Sequence, residues 1–193
     1  IKFQLDEMSE IALSWGVMDK NGQIKADSGE VLTLCNNGYL HSGKDQKEKS
    51  KIDYAIPCIH GPPGETGDIQ SMFELMGIPY LGPGSEASIL CFNKVSTKLW
   101  LTSLGIPNSP FIFLTDKGPE SIKKSTDFFD RSGTVFVKAA SQGSSVGCYR
   151  VDQKSRLEEE INSAFKYSPA VLIEQEIEGR ELEISVYEFD GTL

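Results

Sequence analysis

The stretch VFVKAASQGSSVGCYRV, Val135 to Val151, decides how the rest of the chain is read. β-Branched and aromatic residues on both sides (Val135, Phe136 and Val137; Val146, Tyr149 and Val151) flank Gln142-Gly143-Ser144-Ser145, so the spacing predicts strand, tight turn, strand. A glycine at such a tip allows unusual backbone angles and close approach of a ligand, and successive N–H groups can point one way, as a bound anion requires. Lys138 adds a positive charge on the incoming strand. Two readings stay open on this stretch alone: a lid over nucleotide phosphates, or an ordinary polar hairpin with a solvated lysine.

Outward from the hairpin, strands alternate with helices. Phe111 to Leu114 is strand-like, and Ile122, Thr126 and Phe129 mark a helix starting near Pro119. After the hairpin, Ser155 to Glu158 has the spacing of a capping box, with Leu157, Ile161, Ala164 and Phe165 on the inner face of the helix it would open. A strand from Ala170 to Glu176 leads through Gly179-Arg180-Glu181 into a further strand, Leu182 to Tyr187, where Leu182, Ile184 and Val186 alternate with polar residues. Two strand–strand turns imply a small α+β domain with an antiparallel sheet. Ahead of it, Asn93 caps a helix through Val95 and Leu99 that stops at Gly105-Ile106-Pro107. Lys94 in its first turn opposes the helix dipole at a cost of up to ~1 kcal/mol, a conflict that a nearby phosphate would remove.

The first part of the chain reads differently. Ile11 to Met18 and Val31 to Leu34 are predicted as short strands at one edge of a sheet, and the lysine-rich Asn36 to Asp53 as a solvated connection. Asp53 to His60 is a mostly apolar run of the kind a buried parallel strand shows. It enters Gly61-Pro62-Pro63-Gly64-Glu65-Thr66-Gly67, after which Ile69, Met72, Phe73 and Met76 recur with helical spacing as far as Gly77. Strand, glycine-rich turn and helix is the unit that presents ligands at the carboxyl end of a sheet, and His60 stands at that strand end. His60 is open to two readings, a packed polar residue or a group facing an anionic ligand at the helix N-terminus. Gly82-Pro83-Gly84-Ser85-Glu86-Ala87 matches the dinucleotide fingerprint in form, but its central proline and the lack of a following acidic strand end make it a turn into a helix. No Walker A sequence occurs.

Composition narrows the partners. The 193 residues carry a formal net charge of −9, so general affinity for nucleic acid or an anionic membrane is not expected, because such binding needs a basic surface. Cys35, Cys58, Cys91 and Cys148 have no CxxC spacing and read as reduced packing thiols of a cytoplasmic protein. His41 and His60 are the only histidines, too few for a His/Cys zinc cluster. No run is long and apolar enough to span a bilayer. The start at Ile1 and the end at Leu193, just after Phe189-Asp190-Gly191, read as those of a piece of a longer protein.

Five motifs occur in order: HGPPGETG (60–67), FNKVSTK (92–98), GIPNSPF (105–111), VFVKAASQGSSVG (135–147) and VLIEQEIEGRELEISV (171–186). Together they resemble the D-alanine–D-alanine ligase family of the ATP-grasp superfamily, from about Asp53 to Val186 and more loosely back to Gly16. The fold this implies is α/β: a Rossmann-like, parallel-sheet N-terminal substrate domain over 1–84, an α+β ATP-grasp small lobe over 85–178, and the start of the C-terminal lobe over 179–193. By resemblance, Lys94 and Lys138 hold the ATP phosphates, and Gly143, Ser144 and Ser145 form the loop whose amides close on them. Glu174 and Ile177 correspond to positions that read adenine, and Glu181 to the acid that binds the ribose hydroxyls. His60 and Glu65 correspond to the turn facing the alanine substrates. Ser144 is similar to the serine that ties the phosphate loop to an amino-terminal glutamate and a later tyrosine, which makes Ser144 and His60 the candidate catalytic residues.

The chemistry implied is transfer of the γ-phosphoryl group of ATP to the carboxylate of one D-alanine, then attack of a second D-alanine's amine on the acyl phosphate. Magnesium ligands are expected beyond Leu193, a homodimer is implied, and the segment by itself is expected to be inactive. Asn93, Ala139 and Thr66 depart from the residues usual in the family without removing an essential contact. A ligase joining a different carboxylate and acceptor, or a non-catalytic ATP-binding relative, are the alternatives.

Overall fold

β-Branched residues at alternate positions of 135–139 and 171–175, against polar and lysine-rich stretches before residue 53, give the chain two unlike halves. The computed structural model describes residues 16–18, 24–26, 31–35, 38–42 and 48–188, and its contacts divide the chain into units 1–89 and 90–193. The sequence places that division at 84/85.

In the first unit, β1 (Gly16–Met18), β2 (Ile24–Ala26), β3 (Val31–Cys35), β4 (Tyr39–Ser42) and β5 (Glu48–Lys51) pair in chain order, each antiparallel to the next. Two of these strands lie in the stretch expected to be a solvated connection. The sequence EKSK of β5 ends the strand order, and an edge strand is protected from stray pairing by charge rather than marked by apolar alternation, so periodicity could not reveal it. The strand expected over Ile11 to Met18 is seen from Gly16 onward; its earlier residues lie outside the described ones. Asp53 to His60 is not a buried strand. It makes one isolated parallel bridge, Ala55 to Tyr80, and Tyr54 and Ile56 are exposed. Helix α1 (Asp68–Met76) buries Ile69 and half-buries Met72, Phe73 and Met76, and Gly77 ends it in the left-handed region at φ 65°. Gly82 to Ala87 opens α2 (Ser85–Phe92), as a turn into a helix should, and the Glu74 carboxylate accepts from the Ser85 amide (3.0 Å) and hydroxyl (2.6 Å).

The second unit is built on a sheet of β6 (Phe111–Leu114), β7 (Val135–Ala139), β8 (Cys148–Val151) and β9 (Val171–Gln175) in the order β6-β9-β7-β8, every pair antiparallel. Helices α3 (Lys94–Ser103), α4 (Pro119–Ser132) and α5 (Leu157–Ala164) complete it. Side chains alternate across a sheet, so Val135, Val137, Val171 and Ile173 share one face, where they form the main core with Phe128 of α4 and Leu157, Ile161 and Ala164 of α5. Each such aliphatic group taken out of water contributes roughly 1.5–3 kcal/mol. Leu172, pointing the other way, packs with Val95 of α3 and Ala140. The sheet is therefore covered on both faces, and α3 lies over the face that carries the even-numbered residues of β7 and β9.

Three local expectations are corrected here. Ser155 falls in a short 3₁₀ turn, Lys154–Arg156, and makes no capping bond to α5, although the inward residues of that helix are those read from its spacing. Leu182 to Tyr187 is not a strand: residues 181–188 have no regular structure, and Leu182, Ile184 and Val186 are exposed. Alternation gives a strand only where a neighbour supplies the ladder of hydrogen bonds, and among the described residues none pairs with this segment. Cys58 and Cys91 are exposed rather than packed, and all four cysteines are free thiols.

Candidate functional site

The pleat of β7 sends Phe136 and Lys138 to the α3 side of the sheet, opposite Val135 and Val137, and that of β9 sends Leu172 and Glu174 to the same side. Register places Phe136 beside Glu174 and Lys138 beside Leu172. Lys138 and Glu174 are thus diagonal neighbours, and their side chains meet as an ion pair. Glu174 is 12% exposed in its side chain.

A second lysine reaches the same carboxylate from the helix. Lys98 Nζ lies 2.9 Å from Glu174 Oε2 and donates to Ser109 Oγ (2.6 Å) and to the Ser109 carbonyl (3.1 Å), while the Ser109 hydroxyl donates to Glu174 Oε2 (3.2 Å). The Lys98 ammonium also lies 5.2 Å from the centre of the Phe111 ring, within cation–π range. One helical turn earlier, Lys94 fastens α3 to the hairpin. Its amide donates to the Ala140 carbonyl (2.9 Å) and its ammonium to the Gln142 carbonyl. Asn93 caps the helix as its sequence position suggested, accepting from the amides of Val95 (3.0 Å) and Ser96 (3.1 Å), and its Nδ2 donates to Ser141 Oγ (3.2 Å).

The electrostatics follow from this crowding. Burial, reinforced by the nearby charge of Lys138, holds Lys94 below the ordinary lysine range. Burial pushes Glu174 upward, but hydrogen bonds from Lys138 and Lys98 and their charges outweigh it and hold the carboxyl below the ordinary glutamate range. Three ammonium groups stand against one carboxylate, so the cluster carries uncompensated positive charge. A polyanion bound beside Lys94 and Lys138 would relieve both the mutual repulsion and the opposition to the helix dipole.

The hairpin tip differs from its sequence reading in one respect. Gly143, Ser144 and Ser145 are exposed, but the left-handed residues are Ser144 (φ 49°) and Ser145 (φ 61°), not Gly143. Side chains in that region are uncommon and single out these two positions. The glycine that the turn cannot do without is Gly147, at φ 66°, where a Cβ would lie 2.8 Å from Ala139 Cβ and 3.0 Å from the Tyr167 ring. Val146 belongs to the exposed tip, and β8 starts only at Cys148.

Of the residues singled out by sequence, the structure brings together Lys94, Lys138 and Glu174 beside the base of the tip that carries Gly143, Ser144 and Ser145. It does not bring Ile177 or Glu181 to them: both are exposed in the irregular segment after β9. His60 and Glu65 lie together in the first unit, His60 Nδ1 3.4 Å from Glu65 Oε1, with the His60 side chain 86% exposed. Their turn is fixed by Gln70 Nε2 donating to the Gly64 carbonyl (2.7 Å), and a Cβ on Gly64 would lie 2.3 Å from the Ile59 carbonyl oxygen, which requires glycine there. Lys98 was not singled out. Its spacing of four residues from Lys94 on a capped helix puts both on one face, and that periodicity was the available sign. A depression of about 640 Å³ shares Ser109 and Phe111 with this cluster but includes none of the three lysines. Among the described residues no group of three or more His, Cys, Asp or Glu side chains is placed to hold a metal ion.

The second unit, a helix-backed antiparallel sheet whose β7–β8 hairpin carries Lys138, is compatible with the ATP-grasp class of its structural neighbours. Family models for the D-ala D-ala ligase N-terminus and C-terminus match residues 12–83 and 100–192. The D-alanine–D-alanine ligase of Shewanella halifaxensis is 49% identical over 176 residues, 91% of this chain and 53% of that protein. The solved D-alanyl-alanine synthetase A of Vibrio cholerae is 48% identical, with TM-score 0.89 over 97% of this chain and 56% of its own. The D-alanine–D-alanine ligase of Aeromonas hydrophila is 40% identical, with TM-score 0.74 over 90% of this chain and 56% of its own. The chain belongs to the D-alanine–D-alanine ligase family. It spans about half the length of the curated relatives it matches.

Proposed function

We propose that this chain forms the nucleotide-gripping part, and the His60–Glu65 part of the amino-acid site, of an ATP-dependent ligase that joins two D-alanine molecules through a D-alanyl phosphate. The observation that carries this reading is the convergence of Lys94 and Lys138 on the base of the Gly143–Ser145 tip, with Glu174 between Lys138 and Lys98. In this reading the two lysines and the tip amides hold the phosphates of ATP and offset the charge that develops as the γ-phosphoryl group moves to the carboxylate of the first D-alanine. The second D-alanine's amine then attacks the acyl carbon and phosphate leaves. Ser144, in its held left-handed conformation, keeps the tip closed so that water does not take the acyl phosphate. His60 and Glu65 orient the alanine substrates, Glu174 and Ile177 select adenine, and Glu181 binds the ribose. D-Alanine and ATP as partners, Mg²⁺ as the metal, a homodimer, a cytoplasmic place and a role in making peptidoglycan precursor follow from the family rather than from the geometry.

The test is product analysis with the intact protein. Incubation with ATP, Mg²⁺ and D-alanine is expected to release ADP and phosphate and to yield D-alanyl-D-alanine, with no ADP released when D-alanine is left out. A mixed product made in preference when D-lactate or another acceptor is added would move the reading to a related ligase. Tight ATP binding with no turnover would mean a non-catalytic relative.

A further inference from the structure

The resemblance assigns Lys94 and Lys138 to the phosphates but gives no task to Lys98, whose side chain is as closely held as that of Glu174, each 12% exposed. Two facts bear on what it does. Glu174 is a bridge, with Oε1 on Lys138 and Oε2 on Lys98 and Ser109. Lys94 and Lys98 are like charges four residues apart on one helix face, an arrangement that destabilises a helix unless something else requires both. With Lys98 absent, the Glu174 carboxylate would have one cationic partner left, and the Lys138–Glu174 pair would sum to zero charge. With Lys98 present, the three groups sum to +1, and the charge of Lys138 remains available to a third party.

We infer that Lys98 is a positioning residue for nucleotide binding: by occupying Oε2 of Glu174 it prevents that carboxylate from neutralising Lys138. Lys98 itself does not touch the nucleotide. This rests on the reading of Lys138 as a phosphate ligand and goes beyond it, because it makes phosphate affinity depend on a side chain on the opposite edge of Glu174.

The experiment is equilibrium binding of ADP and of adenosine to the intact protein, for wild type, Lys98→Met, Lys98→Arg, Glu174→Gln and the double variant Lys98→Met/Glu174→Gln. Lys98→Met is expected to weaken ADP binding roughly ten-fold, the size of effect one charge has at short range in a partly buried setting, and to change adenosine binding less than about two-fold. Lys98→Arg should restore most of the ADP affinity. In the Glu174→Gln background the further loss from Lys98→Met should fall to about two-fold or less, because the competing carboxylate is gone. Equal losses for ADP and adenosine, or the same ten-fold loss with and without Glu174, would show that Lys98 is only structural. If Lys98→Met melts early, Lys98→Arg and the Glu174→Gln pair still decide between the two. Failure of wild type to bind ADP at all would instead overturn the proposed function, so the two ideas fail by different results.

Discussion

The lysine cluster of the second unit and the His60 turn of the first are both assigned to ligands by resemblance, yet they are built in opposite ways. Lys94, Lys98, Lys138 and Glu174 are half-buried or better; Lys98 and Lys138 both pair with Glu174, Lys94 is tied to the hairpin at Gln142, and the titration of Lys94 and Glu174 is shifted by burial and neighbouring charge. His60 is exposed and rests against Glu65 at 3.4 Å, while the rigidity of its turn comes from Gly64 and Gln70 behind it. One region is preorganised around charge and the other around backbone shape. The lesson is that the lysine–glutamate cluster is linked through contacts within one unit, whereas the His60 turn offers a backbone frame with an exposed side chain.

That contrast can be broken most forcefully by substituting one member of each region. Lys138→Met, which removes one of the two cations proposed to hold the phosphates and leaves Glu174 to Lys98 alone, is expected to weaken ATP binding about 100-fold. His60→Gln should leave ATP affinity within about two-fold of wild type while raising the apparent KM for D-alanine. Calorimetric titration with ATP and steady-state kinetics on the intact protein measure the two. Loss of ATP affinity in the histidine variant would mean that the regions are not separate in function.

A smaller effect sharpens the same comparison through stability. The pKa of Lys94 is depressed in the folded protein, first by burial and then by Lys138, so its charged form is worse off folded than unfolded and costs stability at neutral pH. Stability from this group therefore rises as pH climbs through its folded value toward the ordinary lysine range near 10.4, and at pH 7 the cost is in full force. Lys94→Met should melt at the wild-type temperature or up to about 3 °C above it, and added ADP should no longer raise its Tm. A clear drop in Tm without ligand would show that the Gln142 hydrogen bond outweighs the burial cost.

Much of the second unit was legible because its signals are local. The alternation in Val135–Ala139 and Val171–Gln175, the Asn93 cap and the inward stripe of α5 each follow from a period or a single residue type, and each is present. What escaped depends on neighbours that a pattern does not name. β4 is a strand because β3 is beside it, and β5 because β4 is, although β5 is polar throughout; Leu182 to Tyr187 alternates well and still has no pairing strand among the described residues. The site divides the same way. Lys94, Lys138 and Glu174 could be picked from motifs, whereas the helical spacing from Lys94 shows which face Lys98 shares but not that the β7–β9 register sets Glu174 under it, and the left-handed residues of the tip are Ser144 and Ser145 rather than Gly143.

The most direct measurement is amide hydrogen exchange of the intact protein with and without ATP, read at residues 141–148. If the tip closes on phosphates, the exposed amides of Gly143, Ser144 and Ser145 should exchange at least ten-fold more slowly with ATP bound, and Lys138→Met should abolish that protection at the same ATP concentration. Saturating ATP with no change in exchange across 141–148 would contradict the claim that this tip and these lysines hold the nucleotide.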